Sequence, residues 1–270
     1  MQKLDMFGFP VVFNAQKNTL EPAADGISFE DYSRKLSKGM MGLLADKSYT
    51  KEDEVYYDFY KAIGRDEDRD TFKNVDLRYD STVIMSGSAG DEFKKTAGHF
   101  HCEVPGKGMS YPEYYQVIKG TALFVMQKVQ DCQTDGQMVV EDAILAEVHA
   151  GEAIVVPPEY GHCTVNIGDE TLVFVNLVSC DSQNHYDAVK RHNGMCCYIK
   201  KDNSGYRVEK NPAYKFEGSP KKVAPGQSAI LGIEKNSPVY TEFLKNPSKF
   251  VYLNSPENNV SDYFSALQPK

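Results

Sequence analysis

Two histidines separated by one residue, His99 and His101, constrain this chain more than any other feature. In a β-strand the side chains of residues i and i+2 point to the same face, so both imidazoles can enter one space. Residues 104–112 follow with two glycines and two prolines, which predicts a turn or loop. Glu113 then begins a second β-rich segment. Two imidazoles and a carboxylate joined by such a hairpin predict a site for a first-row divalent metal.

A further ligand is expected from residues 151–166, GEAIVVPPEYGHCTVN. This segment has the pattern of a turn, an apolar strand, a Pro-Pro turn and a second strand that contains His162. An octahedral ion with this ligand set keeps open positions, where oxygen atoms of a substrate can bind. We therefore predict one divalent metal per subunit, bound by His99, His101, Glu113 and His162.

The spacing within these two segments resembles the paired motifs of the cupin superfamily. Six residues separate Glu113 from Gly120, and three separate His162 from Asn166. One position departs from the general pattern, because Glu159 stands where glycine is expected. The resemblance implies a mainly β fold, a cupin barrel of the jelly-roll or double-stranded β-helix type, with helical and irregular N- and C-terminal extensions.

A narrower resemblance, to the cupin-type glucose-6-phosphate isomerases of archaea and bacteria, depends on four short motifs and extends over about residues 56–212. The motifs are TxGHxH at 96–101, ExY at 113–115, VVPP at 155–158 and HxxxNxGDE at 162–170. This resemblance implies an enzyme that interconverts glucose 6-phosphate and fructose 6-phosphate in glycolysis and gluconeogenesis. It also implies a homodimer, because cupin barrels of this family pair through exchanged strands.

The resemblance assigns the other site residues. Threonine and glycine residues hold the sugar phosphate in the family, and hydroxyls with a close backbone N–H suit that role. In the segment after the last barrel strand, Tyr186 matches a family tyrosine. His185, however, lies one position after the family's histidine, where this chain has Asn184, and Val178 stands where the family tends to have tyrosine. On this basis the predicted catalytic residues are Glu113, His185 and Tyr186, and the predicted substrate-binding residues are Thr82, Thr96, Gly98, Tyr115 and Tyr186.

Two mechanisms and two other functions stay open at this point. Glu113 is the nearest carboxylate in sequence that could move a proton while a metal stabilises an enediolate, and a hydride shift is the rival route. A cupin oxygenase that uses Fe(II) is one alternative function, and a non-catalytic sugar-binding cupin is the other. Fe(II) is the expected metal, with Mn(II), Ni(II) and Zn(II) as alternatives.

Local patterns predict three segments: an N-terminal arm and helix at 1–50, the isomerase domain at 51–212, and a C-terminal extension at 213–270 that packs on the barrel or on a partner. Spacing after Ser28 predicts the N-terminal helix. In the extension, Ser237-Pro238 and Asn246-Pro247 predict the two ends of another helix.

Composition excludes several classes of partner. A net charge of −8 argues against nucleic acid, whereas a bound dication would reverse the local sign and admit a sugar phosphate. No apolar run approaches the roughly 18 residues of a membrane span. The first residues lack the basic and apolar regions of a secretory signal, and the six cysteines form no CxxC pair. We therefore expect a cytoplasmic protein with reduced thiols and no membrane partner.

Overall fold

The computed structural model describes residues 1–203 and 205–270, and most of its regular structure is β-sheet. The strands, in chain order, are β1 (Gln2–Lys3), β2 (Val11–Asn14), β3 (Thr19–Pro22), β4 (Ile27–Ser28), β5 (Asp31–Leu36), β6 (Val55–Lys61), β7 (Gly64–Arg65), β8 (Leu77–Ile84), β9 (Ser88–Ala89), β10 (Glu92–Phe93), β11 (Phe100–His101), β12 (Glu113–Lys119), β13 (Thr121–Val129), β14 (Met138–His149), β15 (Ala153–Val156), β16 (Gly161–Asn166), β17 (Leu172–Ser179), β18 (Asn184–His185), β19 (Cys197–Asp202), β20 (Gly205–Lys210), β21 (Tyr214–Lys215), β22 (Lys221–Pro225) and β23 (Leu267–Pro269).

The helices are short and lie outside the large sheets. The α-helices are α1 (Arg69–Lys73), α2 (Asp187–Arg191), α3 (Val239–Lys245) and α4 (Val260–Ser265). The 3₁₀ segments are Asp5–Phe7, Ser37–Gly39, Met41–Leu43, Asp66–Asp68, Pro247–Leu253 and Pro256–Asn258. The prediction of a mainly β fold is confirmed.

Two large sheets form the barrel. The first has the strand order β15-β12-β17-β8-β6-β5, and the second has the order β16-β13-β14-β22-β23. Side chains alternate along each strand, so one face of each sheet points to the interior between them. Phe174 of the first sheet and Phe124 of the second belong to one buried cluster there. This arrangement of two facing sheets is the cupin jelly roll that the sequence predicted.

The terminal segments cover the outer face of the first sheet. Phe7 and Phe9 of the N-terminal arm pack in one buried cluster with Tyr79 of β8 and with Tyr240 and Phe243 of α3. The helix predicted between Ser237-Pro238 and Asn246-Pro247 is confirmed as α3. The tail also supplies β22, which pairs with β14 of the second sheet, and β23, which pairs with β22. The division of the chain at residues 50 and 212 stays a prediction.

The helix predicted after Ser28 is wrong. This segment forms β5, which pairs antiparallel with β6 at the edge of the first sheet. The rings of Tyr32 and Tyr60 lie opposite each other across this pair, with centroids 5.0 Å apart. The backbone of β6 offers hydrogen bonds along that edge, and the cross-strand contacts add to them. Tertiary pairing therefore overrides the helical spacing.

The turn that precedes β16 explains the departure at Glu159. The backbone φ of Glu159 is 70°, in the left-handed region where glycine is usual and other residues are strained. Hydrogen bonds to the loop before β12 hold the turn: the N–H of Glu159 donates to Ser110 Oγ at 2.7 Å, and the N–H of Ser110 donates to Glu159 Oε1 at 2.5 Å. Glu159 thus joins the two segments that bring in the predicted ligands.

Two expectations from composition can be compared with the structure. All six cysteines are free, as the interpretation of them as reduced thiols required. No helix in residues 1–203 and 205–270 has the length and apolar character needed to cross a bilayer.

Candidate metal centre and cavity

The four predicted ligands meet at one point inside the barrel. One ligand atom from each of His99, His101, Glu113 and His162 lies within 4.8 Å of all the others. Glu113 Oε2 is 3.1 Å from His101 Nε2 and 3.2 Å from His162 Nε2. The Nε2 atoms of His99 and His101 are 3.1 Å apart. Imidazole nitrogens and a carboxylate oxygen are accepted ligands of first-row divalent ions, so the donor set fits such an ion.

Strand pairing brings these residues together from distant parts of the chain. His99 and His162 form an isolated antiparallel bridge, with backbone hydrogen bonds of 3.1 and 2.9 Å in the two directions. Glu113 begins β12 and lies opposite Val156 of β15. Phe100, which lies between His99 and His101 in the chain, points to the opposite side and packs in a buried hydrophobic cluster. The shared face predicted for His99 and His101 is therefore present.

The protonation states suit metal binding. Burial lowers the pKa of His99 well below its ordinary value, and the neighbouring imidazoles of His162 and His101 lower it further. Burial alone would raise the pKa of Glu113, but hydrogen bonds from His101 and His162 hold it well below the ordinary value. A neutral imidazole and an ionised carboxylate are the forms that coordinate a metal.

Backbone contacts orient one of the imidazoles. His101 Nδ1 lies 2.8 Å from the carbonyl oxygen of Tyr111. A proton on Nδ1 would be donated to this carbonyl, which leaves the lone pair of Nε2 for a metal. Tyr111 lies in the loop between His101 and Glu113, so this loop orients a ligand as well as connecting two strands.

A cavity of about 600 Å³ opens beside these ligands. Its size suits a small metabolite. The predicted ligands that line it are His99, Glu113 and His162, and all of the predicted substrate-binding residues line it as well: Thr82, Thr96, Gly98, Tyr115 and Tyr186. Three of the four predicted ligands and all of the predicted substrate-binding residues therefore surround one space.

Gly98 is glycine for two physical reasons. Its φ is 80°, and a Cβ built at this position would lie 2.8 Å from Met195 Sδ. Nearby, the hydroxyl oxygen of Thr96 accepts a hydrogen bond from the N–H of Thr164 at 3.0 Å, which leaves the hydroxyl proton free to donate. Thr96 therefore presents a donor hydroxyl to the cavity, and Gly98 allows the chain beside it to pack closely against Met195.

Tyr115 lies directly behind the ligands. Its hydroxyl is 2.8 Å from His162 Nε2, and its ring is in contact with Phe124 and Phe174 of the barrel interior. Burial, and then the nearby Glu113 carboxylate, raise the pKa of Tyr115 well above its ordinary value. The phenol therefore keeps its proton and can donate it in a hydrogen bond.

The structure places His185, a predicted catalytic residue, outside the cavity. β18 pairs with β11, and Asn184 and Tyr186 line the cavity whereas His185 is exposed and outside its lining. The physical reason is the period of two along a strand, which directs alternate side chains to opposite sides. Asn184, which stands at the place of the family's histidine, is the residue that faces the cavity.

Several cavity residues were missed by the motifs. Arg78 and Asp80 line the cavity with Thr82 from one face of β8, and Asn176 lies beside them on β17. Arg78, Asp80 and Thr82 are spaced at i, i+2 and i+4, and this spacing in the sequence predicts that they share one face of a strand. Arg34 also lines the cavity and makes two hydrogen bonds of 2.8 Å to the buried Asp58.

Comparison with known proteins agrees with this geometry. Residues 34–215 match the family model described as "Glucose-6-phosphate isomerase (GPI)". The glucose-6-phosphate isomerase of Pyrococcus furiosus is 30% identical over 165 residues, which cover 61% of this chain and 76% of that protein. That of Thermococcus kodakarensis is 30% identical over 185 residues, which cover 67% of this chain and 86% of that protein.

Among solved structures, the vicilin of hazelnut, Corylus avellana, is similar with a TM-score of 0.34 and 14% identity, over 51% of this chain and 33% of that one. This structural similarity is weak, and the family assignment depends on the sequence comparisons. The family model covers well over half of the chain, and residues from three of the four motifs line the cavity. The chain belongs to the glucose-6-phosphate isomerase family.

Proposed function

We propose that the protein is a metal-dependent isomerase that interconverts glucose 6-phosphate and fructose 6-phosphate. The observation that carries this proposal is the meeting of three imidazoles and one carboxylate at the wall of a cavity of about 600 Å³. Membership of the family supplies the reaction, and the cavity supplies the space for an open-chain hexose phosphate.

The four ligands, His99, His101, Glu113 and His162, would hold one divalent ion per subunit. When bound, the ion supplies a Lewis acid that stabilises negative charge on oxygen atoms of the sugar. We propose Fe(II) as this ion, with Mn(II), Ni(II) and Zn(II) as alternatives, because all four accept imidazole and carboxylate ligands.

Three further residues of the cavity wall bind the phosphate in this proposal. The hydroxyls of Thr82 and Thr96 and the backbone N–H of Gly98 donate to phosphate oxygens. This orients the sugar so that its C1–C2 end lies at Glu113. Tyr115, Asn184 and Tyr186 are then placed to contact hydroxyl groups along the sugar.

Glu113 is the proposed base. A carboxylate oxygen beside the sugar can take a proton from C2 of glucose 6-phosphate and return it to C1 while the hydroxyl proton passes from O2 to O1, so that the carbonyl moves from C1 to C2. The alternative is a direct hydride transfer between the two carbons, which needs no protein base. Deuterium at C2 separates the two routes, because exchange with solvent accompanies the first, whereas the second retains the label.

The proposal also covers the location, the oligomeric state and the domain division of the protein. We propose a cytoplasmic homodimer in which residues 51–212 form the catalytic unit and residues 1–50 and 213–270 pack onto it. The family resemblance supports the homodimer. Light scattering coupled to size-exclusion chromatography measures the mass directly, and a monomeric mass at assay concentrations would contradict the proposed homodimer.

A coupled assay on metal-stripped protein tests the function. We expect no turnover of fructose 6-phosphate after chelation, and restored turnover when one of the four ions is added back. Unchanged activity after complete removal of metal would reject the mechanism. Oxygen consumption with a small organic substrate would favour a cupin oxygenase, and tight hexose phosphate binding without turnover by metal-loaded protein would favour a sugar-binding protein.

A further inference from the structure

A polar network on the cavity wall lies outside every motif described above. Arg78, Asp80 and Asn176 all line the cavity, and Asp80 is only 1% exposed. Asp80 Oδ2 accepts hydrogen bonds from Arg78 Nε at 2.9 Å and from Asn176 Nδ2 at 3.4 Å, and Oδ1 accepts from the N–H of Ala62 at 2.8 Å. Three donors therefore fix the carboxylate, and the carboxylate fixes the guanidinium.

Part of the Arg78 guanidinium is not used within the protein. Nη1 donates to the carbonyls of Ser179 and Cys180 at 3.3 and 3.4 Å. Nη2 donates to no residue in the described part of the chain, and the side chain keeps 18% of its exposure. Burial alone would lower the pKa of Arg78, but the carboxylates of Asp80 and Glu113 raise it. A fixed cation with unused N–H groups thus faces the cavity.

Strand register places Arg78 level with the metal centre. Tyr115 of β12 lies opposite Asn176 of β17, and Asn176 lies opposite Asp80 of β8. Both outer strands are antiparallel to β17, so they run in the same direction. Glu113 and Arg78 each precede this row by two residues and point to the same side of the sheet. The electrostatic effect of Glu113 on Arg78 agrees with this placement.

The proposed phosphate site lies further along the same strand. Thr82 is four residues after Arg78 on the cavity face of β8, a separation of roughly 13 Å along the strand. That separation is comparable with the length of an open-chain hexose phosphate. A ligand with its phosphate at Thr82 would therefore have its opposite end at Arg78.

We propose that Arg78 binds an oxygen atom at the end of the sugar phosphate opposite the phosphate, and that Asp80 positions the guanidinium for this contact. This inference rests on the proposed function, which places the phosphate at Thr82, Thr96 and Gly98. A guanidinium N–H binds an anionic oxygen more strongly than a neutral one. Arg78 therefore favours ligands with negative charge at that end.

Two five-carbon phosphates that differ only at this end provide the test. Arabinonate 5-phosphate ends in a carboxylate, and arabinitol 5-phosphate ends in an alcohol. Calorimetry measures the affinity of both for the metal-loaded wild-type protein and for Arg78→Met. We expect Arg78→Met to lower the affinity for arabinonate 5-phosphate by about ten- to hundredfold and that for arabinitol 5-phosphate by about tenfold or less. The ratio of the first affinity to the second should therefore fall about tenfold. Arg78→Lys should recover part of that ratio.

Two further variants separate positioning from general charge. Lys190→Met also removes a cation from the cavity lining, but Lys190 lies over the ring of Tyr186 and outside the Asp80 network. We expect it to change both affinities by a similar factor. Asp80→Asn should lower the ratio in the same direction as Arg78→Met. An unchanged ratio in Arg78→Met, whether both affinities fall or neither does, overturns the assignment.

Two controls separate a failure to fold from a failure of the proposed function. If Arg78→Met leaves Asp80 unpaired and the protein does not fold, the double variant Arg78→Met/Asp80→Asn removes both charges, and the same comparison is made on it. Wild-type turnover of fructose 6-phosphate, together with an unchanged ratio in the variant, overturns only the role of Arg78. A wild-type protein with neither turnover nor affinity for either compound overturns the proposed function and this inference together.

Discussion

The side-chain amide of Asn166 joins the two sheets of the barrel by donating to the backbone carbonyl of Ile84 at 3.1 Å. Asn166 ends β16 in the second sheet, and Ile84 ends β8 in the first. The same amide nitrogen donates to the carbonyl of Glu170 at 2.8 Å, and Oδ1 accepts from the N–H of Gly168 at 3.1 Å. The strand that carries His162 is therefore attached to the opposite sheet at its far end.

Replacing Asn166 by alanine should lower the free energy of unfolding by about 2 to 4 kcal/mol, because buried carbonyl and N–H groups would lose their partners. Urea unfolding followed by circular dichroism measures the change. The control is Asn258→Ala, at an exposed position without a side-chain hydrogen bond in the described residues, where a change within about 0.5 kcal/mol is expected. Equal effects of the two substitutions would show that the connection between the sheets contributes little.

His162→Ala should lose metal and turnover together, because it removes one of the four predicted ligands. Metal content after dialysis, measured by mass spectrometry, is the direct test. His149→Ala is the matched control: His149 is exposed and lies near Glu147, away from the cavity. A His162→Ala protein that retained both metal and turnover would show that the fourth ligand is misassigned.

Gly161→Ala should disturb the metal centre without touching a ligand. A Cβ at this position would lie 2.5 Å from the ring of Phe100, which separates His99 from His101 in the chain. We expect a loss of about 1 to 3 kcal/mol in stability from overpacking and about tenfold weaker metal binding from misplaced ligands.

Gly136→Ala is the control for Gly161→Ala, since a Cβ there meets Thr134 Oγ1 at an ordinary 3.6 Å. Metal titration and thermal unfolding of the two variants give the comparison. Normal metal affinity in Gly161→Ala would mean that Phe100 can move without displacing the histidines.

Phe243→Ala should separate stability from activity. Phe243 of α3 is fully buried, and its ring stacks on Phe72 with centroids 4.2 Å apart, on the outer side of the first sheet. We expect a loss of about 3 to 5 kcal/mol with little change in kcat below the melting temperature. The control Phe264→Ala, at a position 43% exposed, should cost about 1 kcal/mol or less. A large fall in kcat for folded Phe243→Ala would assign the tail a part in the chemistry.

The sequence alone was sufficient to predict that these four side chains meet. His99 and His101 are two residues apart, and a strand has a period of two, so a shared face follows from local geometry. Glu113 and His162 could be added because their spacing to Gly120 and Asn166 matched known motifs. The fold class followed from the same two segments, and α3 followed from the proline and asparagine residues at its ends.

Contacts between distant segments decided the rest. The residues after Ser28 have helical spacing but form β5, because β6 offered an unpaired edge. His185 is directed out of the cavity by the register of β18 against β11, and Asn184 is directed in. Arg78 lies level with Glu113 only because β17 separates their strands. Local patterns specify which side of a strand a residue takes, but strand order and register set its neighbours, and these depend on the free energy of the whole sheet.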